Sequence, residues 1–179
     1  MTHEARVYGG SLYDLAKEEN LTEVMLEQMK EIKALFRENP DYFTLLSEPS
    51  IPKKDRVGLI DEAFGAQAEK YLVNFLKLLC ERGLIREFPG CTDEFIARFN
   101  KDNNICEAVI TSAVALTDSQ RGALKDKLEK MSGKTVEIIE KVDPEMIAGI
   151  KVELEGKSLD GTVNARVDSI SRKLSELVV

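Results

Sequence analysis

The chain reads as an α+β protein, with an N-terminal six-helix bundle over residues 1–104 and a small C-terminal α/β sheet domain over residues 105–179. Three observations predict this. Through residues 1–100 apolar side chains recur at spacings of three and four, the period of helices that bury one stripe. The polar run Lys101-Asp102-Asn103-Asn104 then interrupts the pattern. Beyond it β-branched residues become frequent, and at Ile150, Val152 and Leu154 the apolar period falls to two, as in a strand with one buried face.

Residues 4–19 suit a first helix, with Ala5, Tyr8, Leu12 and Leu15 on one face. Gly9 and Gly10 inside it cost about 1 kcal/mol each relative to alanine, so they either admit a neighbouring helix closely or weaken the first turns. Asn20 is placed to cap the next helix, with Glu23 three residues on. Met25, Met29, Ile32 and Phe36 form its stripe, and Asn39-Pro40 ends it. A short turn over residues 41–46 follows. Pro52 then opens a helix near its first turn, where a missing N–H is harmless. Val57, Ile60 and Phe64 face inward, and Gly65 stops it.

The helix expected from about Gln67 to Arg82 differs from the rest. Leu72, Phe75, Leu76 and Leu79 make a core stripe, and Tyr71, Asn74 and Leu78 make a second one beside it. A helix apolar on two sides needs cover on both. In so small a bundle, one cover can be another protein. Gly83 closes this helix, and a last one near residues 89–102 carries Cys91, Phe95 and Phe99 just after Phe88.

In the second part, residues 105–116 predict a strand. Thr117 to Gln120 form a capping box ahead of a helix bearing Leu124, Leu128 and Met131, ended by Gly133. Residues 135–142 are a second strand and residues 147–155 a third. Asp143-Pro144, Gly156 and Asp160-Gly161 read as turn formers. Val163, Val167, Ile170, Leu174 and Leu177 then stripe a final helix, with Arg172 and Lys173 late, where cations suit the helix dipole. The order strand, helix, strand, strand, helix gives a small sheet with helices packed on it.

Composition narrows the function. Charged residues are 32% and apolar ones 43% of the 179, a globular balance. No apolar run reaches the roughly 20 residues that span a bilayer, and the first ten residues carry no signal pattern. A cytoplasmic protein without direct membrane insertion is expected. Net charge is −7, with 14 Lys/Arg against 19 Asp/Glu in residues 1–104 and 11 against 13 thereafter. Neither part is basic, which argues against a nucleic acid partner. Cys80, Cys91 and Cys106 lack metal-ligand spacing, and His3 is the one histidine. Neither a zinc site nor a His-activated nucleophile can be assembled from these, and no phosphate-binding glycine loop is present. The carboxylates of the helices fall on polar faces among lysines, as solvated faces do. No catalytic, cofactor or metal residues are expected.

The stretch Val142-Asp143-Pro144, Ile147-Ala148-Gly149 and Asp160-Gly161-Thr162-Val163 resembles the C-terminal signature of the delta subunits of F-type ATP synthases, whose mitochondrial counterpart is the oligomycin-sensitivity-conferring protein. Many members have Gly-Gly where this chain has Ala148-Gly149, so only Gly149 can be the strained or close-packed position. Residues 5–8 and 12–16 resemble the family's opening, with Gly9 in place of a common alanine. Residues 112–120 and 128–138 are similar to the family as well. The resemblance is weakest in the middle of the bundle and strongest after Ile105.

This resemblance implies a non-catalytic connector in the stator of a rotary ATP synthase, held at the inner face of the cell membrane through the complex. The helical domain would bind the N-terminal helix of an alpha subunit on the catalytic head. The C-terminal domain would bind the b subunits of the peripheral stalk. The alpha-binding positions matched here are Tyr8, Ser11 and Leu12 on the first helix and Tyr71, Asn74 and Leu78 on the fifth. The doubled stripe on the fifth helix agrees with that assignment, although core packing accounts for the same residues. Asp143, Gly149, Asp160 and Gly161 are expected as structural turn residues. The rival classes are an unrelated helical scaffold or adaptor and a small enzyme using substrate-assisted chemistry. The first predicts other targets, and the second a deep pocket with convergent titratable groups.

Overall fold

The structure, a computed structural model, describes residues 1–146, 149–154 and 157–160. The chain forms two compact units, Met1–Phe99 and Asn100–Val179. The first carries helices α1 (His3–Glu18), α2 (Thr22–Glu38), α3 (Pro40–Ser47), α4 (Lys53–Phe64) and α5 (Lys70–Arg82). It also carries a 3-10 turn (Ile85–Glu87) and most of α6 (Phe88–Asp102). The second holds β1 (Ile105–Ser112), α7 (Asp118–Ser132), β2 (Thr135–Val142), β3 (Ile150–Leu154) and β4 (Lys157–Asp160).

Each helix of the first unit turns its stripe onto one shared core. Met25, Met29, Ile32 and Phe36 of α2 meet Leu72, Phe75, Leu76 and Leu79 of α5 and Phe88, Cys91 and Phe95 of α6 in it. Phe36 is its aromatic hub. It stacks on Phe43 at a centroid distance of 4.8 Å and meets Phe88 edge-on at 5.5 Å and Phe64 edge-on at 6.1 Å. Such pairs contribute about 0.5–1.5 kcal/mol beyond the area they bury.

Helix ends show where local chemistry departs from expectation. Asn20 does not cap α2, whose N-cap residue is Leu21. It has φ of 58° and closes α1 instead, with Leu21 N–H donating to the Ala16 carbonyl at 2.8 Å. Asparagine tolerates this left-handed conformation, so it serves as a helix terminator here. The turn expected over residues 41–46 is the helix α3, with Pro40 in its first turn. Helix α5 starts at Lys70, later than the apolar period suggests. The Gln28 side chain of α2 accepts from Glu69 N–H at 2.7 Å, so the start is capped from a distant element.

In the second unit the sheet order is β2-β1-β3-β4. Strands β1 and β2 are parallel, with Ala108 opposite Ile138. Strands β1 and β3 are antiparallel, with Ile110 opposite Val152. The parallel pair needs a crossover, which α7 supplies. Thr117 and Gln120 cap α7 reciprocally, and Gly133 ends it at φ of 69°. Cys106, Ala108, Ile110, Leu128, Val136 and Val152 form the core beneath it. Met131, expected on that stripe, is 59% exposed. It sits in the last turn of α7, beyond Leu128, the helix's one buried residue.

Strand β4 was not foreseen. Its pairing of Lys151 with Asp160 and Val152 with Leu159 adds a fourth strand where only turns were read. Four residues are too few to display an alternating pattern against the glycine and aspartate signals around them. The final helix expected over residues 163–177, with Gly161 before it, lies outside the described residues.

Candidate interaction surface

Helix α1 is drawn close to α6 by glycine. A Cβ placed on Gly9 would stand 2.5 Å from the Cys91 carbonyl oxygen, and one on Gly90 would stand 2.9 Å from the Ala5 Cβ. Of the two roles open to Gly9 in the sequence, close approach is the one realised. Arg98 of α6 adds a polar tie, reaching Asp14 of α1 at 3.1 Å and Glu94 at 3.0 Å. These contacts bury Ala5, Gly9, Leu12, Tyr13 and Ala16 of α1 and leave Val7 and Ser11 outside.

Tyr71 of α5 stands near Glu19 at the end of α1, close enough for that carboxylate to act on its phenol. The negative charge of Glu19 raises the Tyr71 phenol above its ordinary value of 10.0, helped by partial desolvation and by Glu69. Lys77 pairs with Asp61 and fixes α5 to α4. On the same helix Asn74 is exposed and Leu78 is 38% exposed. Tyr8 and Tyr71 are half-buried against the core.

Five of the six residues singled out for alpha binding therefore reach the surface at least in part. Leu12 does not. It is 3% exposed, because α1 buries a broad face that includes Tyr13 and Ala16 as well. Two residues of this surface escaped the sequence reading. Val7, 49% exposed, lies one turn before Ser11, whose hydroxyl donates to the Val7 carbonyl at 2.9 Å. Its helical spacing to Ser11 was the available signal. Glu19 had none, since its link to Tyr71 spans distant parts of the chain.

In the second unit Asp143 organises a turn. Its carboxylate accepts from Glu145 N–H at 3.0 Å, and its own N–H donates to the Ser112 carbonyl at 2.9 Å. Gly149 has φ of 101°, a backbone that side-chain-bearing residues rarely adopt. Asp160 is the last residue of β4. Among the described residues no group of three or more His, Cys, Asp or Glu could hold a metal ion. No described helix is long and apolar enough to cross a membrane.

The fold is that of an α+β protein with a helical unit and a small sheet unit. The sequence model for the ATP synthase delta (OSCP) subunit matches residues 5–174, across both units, and the chain belongs to that family, a family of structural and non-catalytic subunits. It is 33% identical over 171 residues to the ATP synthase subunit delta of Geobacillus sp., covering 95% of this chain and 96% of that one. It is 32% identical over 168 residues to the subunit of the same name from Picosynechococcus sp., covering 93% and 91%. A chain in the Toxoplasma gondii mitochondrial ATP synthase hexamer superposes with a TM-score of 0.76 over 97% of this chain and 98% of its own. At 15% identity that likeness is one of fold.

Proposed function

We propose that this protein is the non-catalytic stator connector of a rotary F-type ATP synthase. Its helical bundle holds the N-terminal helix of an alpha subunit on the catalytic head. Its sheet unit holds the b subunits of the peripheral stalk. The protein is then peripheral to the inner face of the cell membrane, attached through its partners. The observation that carries this reading is the family match across residues 5–174, which spans both units. A connector that resists torque needs interface area and stiffness, not reactive groups.

The alpha segment lies along the surface where Tyr71 of α5 stands near Glu19 at the end of α1. Leu78, Asn74 and Ser11 touch it directly. Tyr8 and Tyr71 offer an apolar ring with a polar tip, and Leu12 supports the floor from within the core. This is helix-in-groove recognition, in which a few apolar anchors supply most of the affinity. A pull-down of the tagged chain from native membranes tests the assignment. Co-recovery of alpha and b subunits is expected, and recovery of neither overturns it.

A further inference from the structure

A second groove lies on the helical unit, bounded by α2, α3 and α6, with a volume of about 460 Å³. Phe43, Pro89 and Ile96 line it with apolar surface, and Lys30, Lys33 and Arg37 stand along its α2 side. Lys33 is committed to Asp93 of α6. Lys30 and Arg37 are exposed and, among the described residues, have no ion pair or side-chain hydrogen bond. Seven residues apart, they sit two turns apart on one side of α2, about 10 Å along its axis.

We propose that this groove docks an acidic amphipathic helix from a partner protein. The partner's apolar stripe packs on Phe43, Pro89 and Ile96, and two of its carboxylates, seven positions apart, meet Lys30 and Arg37. The argument is charge complementarity. The chain carries a net charge of −7, yet this groove is edged by cations and lined by apolar surface. A second copy of so acidic a chain is repelled at long range. Two cations two turns apart on α2, beside apolar surface, match a helix bearing carboxylates at i and i+7 and apolar residues at i+3 and i+4. The groove is separate from the residues assigned to alpha binding, and its occupancy does not depend on which complex the protein joins.

The test uses the full-length chain and two designed peptides of about 18 residues, roughly five helical turns. One carries Glu seven positions apart around a Leu stripe. Its twin carries Gln in place of Glu. Fluorescence anisotropy is expected to show the acidic peptide binding at least tenfold tighter, with the difference shrinking as salt rises from about 0.05 to about 0.2 M. The double variant Lys30→Glu/Arg37→Glu is expected to abolish the preference while its circular dichroism and melting curve stay unchanged. Leu78→Asp is expected to leave it intact. Equal affinity for the twins overturns the proposal, as does loss through Leu78→Asp alone. It also fails if the double variant abolishes only self-association, or only binding to anionic phosphatidylglycerol vesicles.

Discussion

Gly9 and Cys91 meet backbone to backbone: a Cβ on Gly9 would stand 2.5 Å from the Cys91 carbonyl oxygen and 2.9 Å from its Cα. Neither of those atoms belongs to a side chain that can swing away. Gly9→Ala must push α1 from α6, an overpacking cost of about 1–3 kcal/mol against a helix-propensity gain of about 1 kcal/mol. Urea unfolding is expected to show a net loss of about 1 kcal/mol. Gly58 of α4 has open space where its Cβ would be. Gly58→Ala is expected to stabilise by about 0.5–1 kcal/mol.

Arg56 gives a second prediction. It is buried in α4, where its Nη1 donates to the Leu46 carbonyl and its Nε to the Ile51 carbonyl, each at 3.1 Å. Leu46 lies in the last turn of α3, where carbonyls lack helical partners and a cation suits the dipole. Arg56→Met keeps much of the stem but removes both donors. A loss of about 2–4 kcal/mol is expected in urea unfolding, given about 1.5–3 kcal/mol for a charged hydrogen bond. Arg56→Lys is expected to recover only part of it, because one ammonium cannot reproduce the guanidinium fork.

All three thiols are buried. Burial pushes Cys91 up to about 12, with the charge of Glu87 adding to it, and burial also raises Cys80. A raised folded value means the native state holds the proton more tightly than the unfolded chain. The resulting stability is complete below the ordinary thiol value of 9.0 and is lost as pH climbs toward 12. Unfolding free energy is expected to decline from pH 9 to 12, and less steeply in Cys91→Ala. At pH 8 a thiol reagent is expected to label the native protein slowly, and all three cysteines rapidly in denaturant.

On the candidate interaction surface, Leu78→Asp places a charge on a side chain already 38% exposed. Its melting temperature is expected to change little. Affinity for an alpha-subunit N-terminal peptide is expected to fall by about 2 kcal/mol or more, as for a central apolar anchor. Tyr71→Phe removes the phenol whose ionisation the Glu19 charge opposes and is expected to remove one high-pH step from the phenolate absorbance titration. Tyr42, raised mainly by burial, remains as another such step.

Legibility in the sequence followed the range of the interactions. The Thr117–Gln120 capping box, the buried stripe of α5 and strand β2 depend on neighbours three or four residues away, and all were readable. Asn20 was misread because asparagine serves both as an N-cap and as a left-handed terminator. Helix α3 packs through Phe43 onto Phe36, and β4 pairs with β3, so tertiary contacts define both where local pattern is short. On the candidate surface the two stripes of α5 were distinguishable. On α1, Leu12 and Ser11 were not, because the close approach at Gly9 widens the buried face beyond one stripe.

Strand β2 ends the described sheet, and its outer backbone edge has no described neighbour. Such a rail of open donors and acceptors invites stray chains to zip on. Glu137, Glu140 and Lys141 interrupt the apolar residues along it. An intruding strand would have to accommodate these charges, so the sequence of β2 guards this molecule against fibrous self-association while leaving Ile139 and Val142 exposed.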